Sequence, residues 1–416
     1  MMPHSEETAE NAFNPESWLQ AFDTASPLQR QRLLTAALQS GEPFANSADR
    51  EPLVAATVLV SQLLAEHNLL AQLRELIELV AQRAPDVHAA LLPAMNHFLL
   101  QDALYGQHGD QAIGLLEALI AQVGSETGAA GPELAGEEWQ AMLSELAFYG
   151  RATAAAGLAN RIERRLGEDR LAKDEDLAYA LEQHQVFAAI ESFWRSAQTE
   201  ADHAAFVRAL QAADIEDFED LRALTELRDR PAASQLGKVR QSFRERDCDA
   251  ALLPAQLAFG RWMLENHELN LFTSAGMMEQ AFGLWQLAPE KGRPEFSKWA
   301  LIKSKDFLEY CAELGHHEAL DGFVLLWGLP LVCSWLQEQG LANLLVSRHL
   351  LSLLPQARAA LMQERRGDLW TAAFVLHWPA GLPDQEAETA AFAASREQST
   401  PLSDDPQDSL RFRTEG

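Results

Sequence analysis

The chain is 416 residues long and 47% hydrophobic with ten tryptophans, which excludes wholesale disorder and provides for an ordinary apolar core. Its 61 acidic residues against 33 lysines and arginines give a formal net charge of -28. Such a field repels nucleic-acid phosphates and anionic lipid surfaces and favours, if anything, basic partners.

Met1 to Asn14 is acidic, with neither a basic n-region nor an apolar h-region, so no secretory leader is expected, and residues 1–11 have a disordered composition. Helices are expected over 12–123. Ser26-Pro27 ahead of Leu28, Arg32, Leu33 and Leu34, with Gly41 beyond, gives an N-cap, a first-turn proline and a glycine stop. Leu69, Leu73, Leu76, Ile77 and Val80 keep a 3.6-residue stripe that Pro85 closes. Residues 124–138 (GSETGAAGPELAGEE) lack any stripe and read as a loop or linker between an N-terminal helical domain and a second one over 139–383. In the second domain, Thr199 and Asp202 form a capping box with Phe206, Val207 and Leu210 as the apolar face behind it.

The longest uncharged stretch, Gly322 to Leu336, has 15 residues where a membrane-crossing helix needs ~20. It predicts a buried hairpin of two short helices broken at Gly328-Leu329-Pro330, and with it a soluble protein. Residues 287–294 mark a shorter break, and 384–416 form an acidic tail, mostly of disordered composition apart from a weak helix at 386–396. No alternation of apolar and polar β-branched residues calls for a sheet. The fold class is all-α.

A faint repeat supports an array of antiparallel helical hairpins. Ala103-Leu104-Tyr105-Gly106 returns 44 residues later as Ala147-Phe148-Tyr149-Gly150, each followed by a small residue, Ala112 and Ala156. A third hairpin, Phe307 to Leu326, is expected to turn at Leu314-Gly315, with Ala319 soon after. These units resemble divergent tetratricopeptide-type helical repeats, over at most three hairpins. The family's 34-residue period and Trp–Leu–Gly–Tyr signature are not reproduced. The resemblance implies an α-solenoid with a concave binding face and transfers no functional residue; a compact multi-helix bundle is the competing architecture.

Catalytic constellations are absent from the sequence: there is no GxxxxGK(S/T), GxSxG, HExxH or EF-hand loop. His316-His317, with Cys311, Glu318 and Asp321 nearby, is the first place to look for a metal or a catalytic base, but three converging ligands cannot be found locally. Three scattered cysteines, Cys248, Cys311 and Cys333, form no CxxC and fit a reducing, cytoplasmic compartment. No cofactor, metal or nucleophilic cysteine is expected. The five carboxylates from Asp214 to Asp220 sit where Ile215, Phe218, Leu221 and Leu224 keep a helical stripe, so they read as an acidic helix start, favoured by the helix dipole, rather than an ion site.

Seven of the ten tryptophans follow residue 260, as expected for a well-packed core, with an aromatic-lined cleft as the alternative. The least ordinary feature is a basic island in an acidic chain: Lys291, Arg293, Lys298, Lys303 and Lys305, with Phe296 and Trp299 interleaved. These seven residues are the candidate surface for an acidic protein partner, unless they neutralise the chain's own acidic face. Arginine outnumbers lysine 27 to 6, the usage of a GC-rich bacterial genome. The functional expectation is a non-catalytic protein–protein interaction or scaffold module. A helical enzyme or regulatory domain with a site drawn from distant residues is one alternative, and a small-molecule or lipid binder using the tryptophan-rich half is the other.

Overall fold

In the computed structural model the described residues are 15–40, 50–67, 69–105, 108–122, 136–167, 171–213, 215, 217–230, 232–245, 247, 249–289, 295–317, 319–364 and 400–406. Among them there is no strand, and the fold is all-α. In chain order the helices are α1 (Pro15–Thr24), α2 (Pro27–Ser40), α3 (Glu51–Glu66), α4 (Leu70–Arg83), α5 (Pro85–Tyr105), α6 (Gly109–Gln122), α7 (Gly136–Leu146), α8 (Ala152–Leu166), α9 (Glu175–Arg195), α10 (Glu200–Ala212) and α11 (Phe218–Asp229). There follow α12 (Ala232–Glu245), α13 (Asp249–His267), α14 (Leu271–Gly283), α15 (Ser304–His317), α16 (Ala319–Glu338) and α17 (Leu344–Glu364). Two compact units result: 1–99 with 126–132 and 397–416, and 100–125 with 133–396. One boundary between them falls inside α5, and residues 124–135 of the expected linker lie outside the described ones.

In the first unit the expected caps form. The Ser26 hydroxyl accepts the Gln29 N–H while the Ser26 N–H donates to Gln29 Oε1, both at 3.3 Å, a reciprocal cap that answers two main-chain donors at the start of α2. Arg30 is buried, and its guanidinium donates to the carbonyls of Phe22 and Asp23 at the end of α1, where helix geometry leaves acceptors open. Leu73, Leu76, Ile77 and Val80 are all buried on one face of α4. Residues 400–406 depart from the disordered tail expected there. Leu402 is buried, the Thr400 N–H donates to the His67 carbonyl at 3.0 Å, and the Ser403 carbonyl accepts the Leu28 N–H at 3.1 Å. Ser26 Oγ donates to Asp404 at 3.1 Å, placing a carboxylate at the positive end of α2.

In the second unit α7 and α8 make the hairpin expected at Gly150, whose φ of +81° is the left-handed conformation that favours glycine. The turn leaves the Ala147 carbonyl without a regular helical donor, and Asn270 Nδ2, from the cap of α14, supplies one at 2.9 Å. Three contacts join positions 44 apart: Gln101 donates to Glu145 at 2.8 Å, Arg161 pairs with Glu117, and Arg165 donates to the Ala121 carbonyl at 3.1 Å. Gly106 lies outside the described residues. Beyond α8, α9 packs on α7, α8, α10 and α14, and the Thr199–Asp202 capping box starts α10 as expected. Asp217 caps α11, accepting the N–H groups of Glu219 and Asp220, in keeping with an acidic helix start; Asp214 and Glu216 lie outside the described residues.

Two expectations for the third hairpin fail, for related reasons. Gly315 is no turn residue. It lies inside the last turn of α15, where a Cβ added at Gly322 of α16 would sit 3.1 Å from the Gly315 Cα, so the glycine pair lets two helix backbones touch. Pro330 does not break the uncharged stretch either, because α16 runs unbroken from Ala319 to Glu338 with the proline inside it. A proline cannot donate to the carbonyl four residues back, here Leu326, which is fully buried. Arg358 of α17 takes that role, with Nε 3.1 Å and Nη2 2.9 Å from the Leu326 oxygen and its guanidinium 4.8 Å above the Trp327 ring. Continuous, α16 is long and apolar enough to cross a membrane by length and composition, but 72% of that window is buried against the rest of the protein. Its neighbours are α13, α14, α15 and α17.

Arg358→Met keeps the aliphatic stem and removes the donors from a buried carbonyl. A loss of about 1–3 kcal/mol in urea unfolding is expected. Pro330→Ala returns a main-chain N–H to the same carbonyl, so the Arg358→Met loss should shrink in that background. Equal losses in both backgrounds would show that proline and arginine act independently.

Candidate functional site

The basic island divides. Lys291 and Arg293 lie outside the described residues. Phe296 and Trp299 sit on a 3-10 turn, Phe296–Leu301, and are 1% and 0% exposed. Phe296 meets Phe243 edge-on with centroids 5.1 Å apart, Trp299 meets Phe296 at 4.9 Å, and His349 of α17 donates to the Ile302 carbonyl at 2.6 Å to hold the turn down. Both rings therefore belong to the core and cannot anchor a partner without unfolding it. The lysines differ. Lys298 Nζ reaches the Pro289 carbonyl at 3.5 Å, while Lys303 and Lys305 pair with Asp306 (3.6 Å) and Glu309 (3.3 Å) and keep side chains 81% and 79% exposed. Ion pairs this exposed hold their partners weakly.

Around His316 and His317, whose side chains lie outside the described residues, Cys311 is buried, and burial pushes its thiol up to about 12. Cys333 on α16 is pushed to about 12 by the same cause. A thiol held protonated is a poor nucleophile. Cys248 is not described, and among the described residues no cluster of three metal-ligating side chains occurs.

Two concave surfaces stand out in the second unit. The larger, about 1450 Å³, lies among α8, α9, α10 and α11. Its lining carries five carboxylates, Glu163, Glu175, Glu182, Asp217 and Asp220, against one guanidinium, Arg164. Tyr179 stands on it 66% exposed, an unusual position for so large a ring. Burial, then the negative charges of Glu163 and Asp220, hold the Glu182 carboxyl above the usual range. Asp217 is answered by the main chain of α11 and Glu163 accepts from Gln185, and among the described residues of the lining Arg164 is the one cationic side chain.

The smaller, about 730 Å³, gathers residues from 193 to 339. Trp194, Trp262 and Trp335 contribute aromatic surface to it, and Arg228 and Arg261 contribute charge. The expected tryptophan core is also present: Trp299, Trp327 and Trp335 are buried, and Trp370 and Trp378 lie outside the described residues. Nothing in the spacing of Arg228 marked it. Besides the adjacent Asp229, its partners are Phe193 of α9 and His203 and Phe206 of α10, and only the packing of those helices on α11 brings them together.

No family model, curated protein or solved structure matches this chain.

One buried titratable group belongs to neither concavity. His184 on α9 is 2% exposed, its ring stacks on Phe272 with centroids 4.0 Å apart, and neither nitrogen has a hydrogen-bond partner. Burial lowers its pKa to about 3. The unfolded chain therefore takes up this proton first. The stability His184 contributes as a neutral ring is complete above the unfolded value of about 6.5 and declines as pH falls towards 3, by up to about 1.4 kcal/mol per pH unit. His184→Phe keeps the stack and removes the titration. Urea unfolding at pH 6.5 and 5.5 should show a flatter pH dependence for the variant, and parallel slopes would mean that the folded protein protonates this ring without penalty.

Proposed function

We propose that the chain is a non-catalytic interaction module whose acidic groove receives a basic segment of a protein partner. The observation that carries this reading is the excess of negative charge in the groove, five carboxylates against Arg164 among the described residues, with an exposed tyrosine among them. Exposed aromatic rings beside complementary charge suit the centre of an interface. Apolar residues such as Leu171 and Leu224 on the same wall offer contact to the stem of an arginine or lysine. The contacts between positions 44 apart support an α-solenoid of tetratricopeptide-like character, in which such a groove would be the concave face. Two buried free thiols, Cys311 and Cys333, and the residue usage support a cytoplasmic, bacterial protein.

A labelled Lys/Leu amphipathic peptide, titrated by fluorescence anisotropy, tests the groove. Glu182→Gln with Asp220→Asn should weaken binding roughly tenfold and reduce its salt dependence, at about 1.4 kcal/mol per decade. Affinity for the parent chain should rise with pH as Glu182 ionises. Unchanged affinity in the double variant would overturn the assignment.

The exposure of Lys303 and Lys305 supports a second docking point, for an acidic partner, formed with Lys298 but without the buried rings. Lys298→Glu with Lys305→Glu should leave helical content intact and slow association with a poly-glutamate probe. A lower melting temperature with unchanged association would mark these lysines as internal counter-charges.

A further inference from the structure

The smaller concavity is built around an arginine that the interaction-module reading does not use. Arg228, at the end of α11, has a side chain with 0% exposure. Its guanidinium lies 3.6 Å from the Phe193 ring centroid and 4.3 Å from that of Phe206. Asp229 holds it in a fork, Nε to Oδ1 and Nη2 to Oδ2 both at 2.7 Å, and Nη2 also reaches His203 Nδ1 at 2.8 Å. A guanidinium only donates, so His203 Nδ1 accepts and the ring proton sits on Nε2, as a donor directed away from Arg228. Arg228 Nη1 is buried with no hydrogen-bond partner. A buried, ring-stacked cation with a spare donor is costly to maintain for packing alone.

The remaining walls are chemically consistent with it. Arg261 on α13 lies 5.9 Å over the Trp194 ring and is joined only loosely to Glu265, one turn along the same helix, at 3.0 Å with the glutamate 61% exposed. Such an exposed pair exchanges readily for a better acceptor. Trp262 lies beside it, half-buried, with its indole N–H given to Glu338 at 3.0 Å, so its contribution to the cavity is apolar. Gln198, on the rim, is one of two described non-glycine residues at positive φ, 57°. Backbone strain of this kind collects at ligand sites. A cavity of about 730 Å³ matches one small molecule, not a folded partner.

We propose that this cleft binds a small planar aromatic carboxylate, its ring against Trp194 and Trp262 and its carboxylate on Arg261 in place of Glu265. Arg228, its charge paired with Asp229, and His203 set the donor-rich end of the pocket. The site shares no lining residue with the acidic groove, so the two assignments fail or hold separately.

Isothermal titration of the full chain with 2-naphthoate, 2-naphthamide and 2-naphthylmethylammonium separates the contributions of shape and charge. One naphthoate should bind per chain with submillimolar affinity, and the ammonium at least tenfold more weakly. Arg261→Gln should weaken naphthoate about tenfold, leave naphthamide unchanged and preserve the circular dichroism spectrum. Glu182→Gln with Asp220→Asn should not affect naphthoate. The proposal is overturned if naphthoate does not bind at millimolar concentration, if the ammonium binds as tightly, or if Arg261→Gln binds naphthoate as the parent does.

Discussion

A helix as apolar as α16 can lie in the middle of a protein only if every main-chain group along it is answered, and Pro330 removes one of the answers. The Leu326 carbonyl is buried and has lost its helical donor; Arg358 reaches across from α17 to replace it. That contact ties α17 to α16 through a fork of donors on one oxygen. On another side, Gly315 and Gly322 let α15 come within backbone contact. The largest core cluster, including Phe259, Phe323, Trp327 and Trp335, closes around the same helix. A polar requirement at one atom thus orders a region whose hydrophobic burial is by itself non-directional.

Local signals in the sequence carried most of the helical boundaries and few of the tertiary relations. Ser26, Thr199 and Asp217 cap helices because their side chains act within three residues of themselves, a range that a sequence displays directly. Pro330 misled because its remedy is Arg358, distant in sequence, and local rules see only the missing donor. Gly315 misled similarly, since a glycine that ends a helix and one that admits a neighbouring helix look alike until the neighbour is known. Phe296 and Trp299 are interleaved with basic residues in the sequence, which carries no sign that their rings turn inward while the lysines turn out. The cleft around Arg228 was illegible for a further reason: its arginines, histidine and tryptophans are common residue types at unremarkable spacings, and their meaning arises only from convergence.

The net charge of -28 acquires a location in the fold. Part of it is absorbed in helix caps and exposed pairs along single helices, as at Asp217 and at Arg222 with Glu226. A further part is concentrated in the groove of α8 to α11, where carboxylates face one another and Glu182 holds its proton more tightly than a solvated glutamate does. Concentrating like charge in a concavity opposes folding there, and proteins retain such arrangements where a counter-charge arrives from outside.

The cap on α2 sets an order of events in time. Ser26 meets Asp404, a contact spanning 378 residues, and the Leu28 N–H waits for the Ser403 carbonyl. A ribosome adding ~5–20 residues per second needs roughly 20 to 75 seconds to make the intervening chain. Throughout that interval the first unit exists with an open helix end and an uncovered site for Leu402. Its helices emerge early, yet the unit reaches its final form only after the second has been synthesised in full.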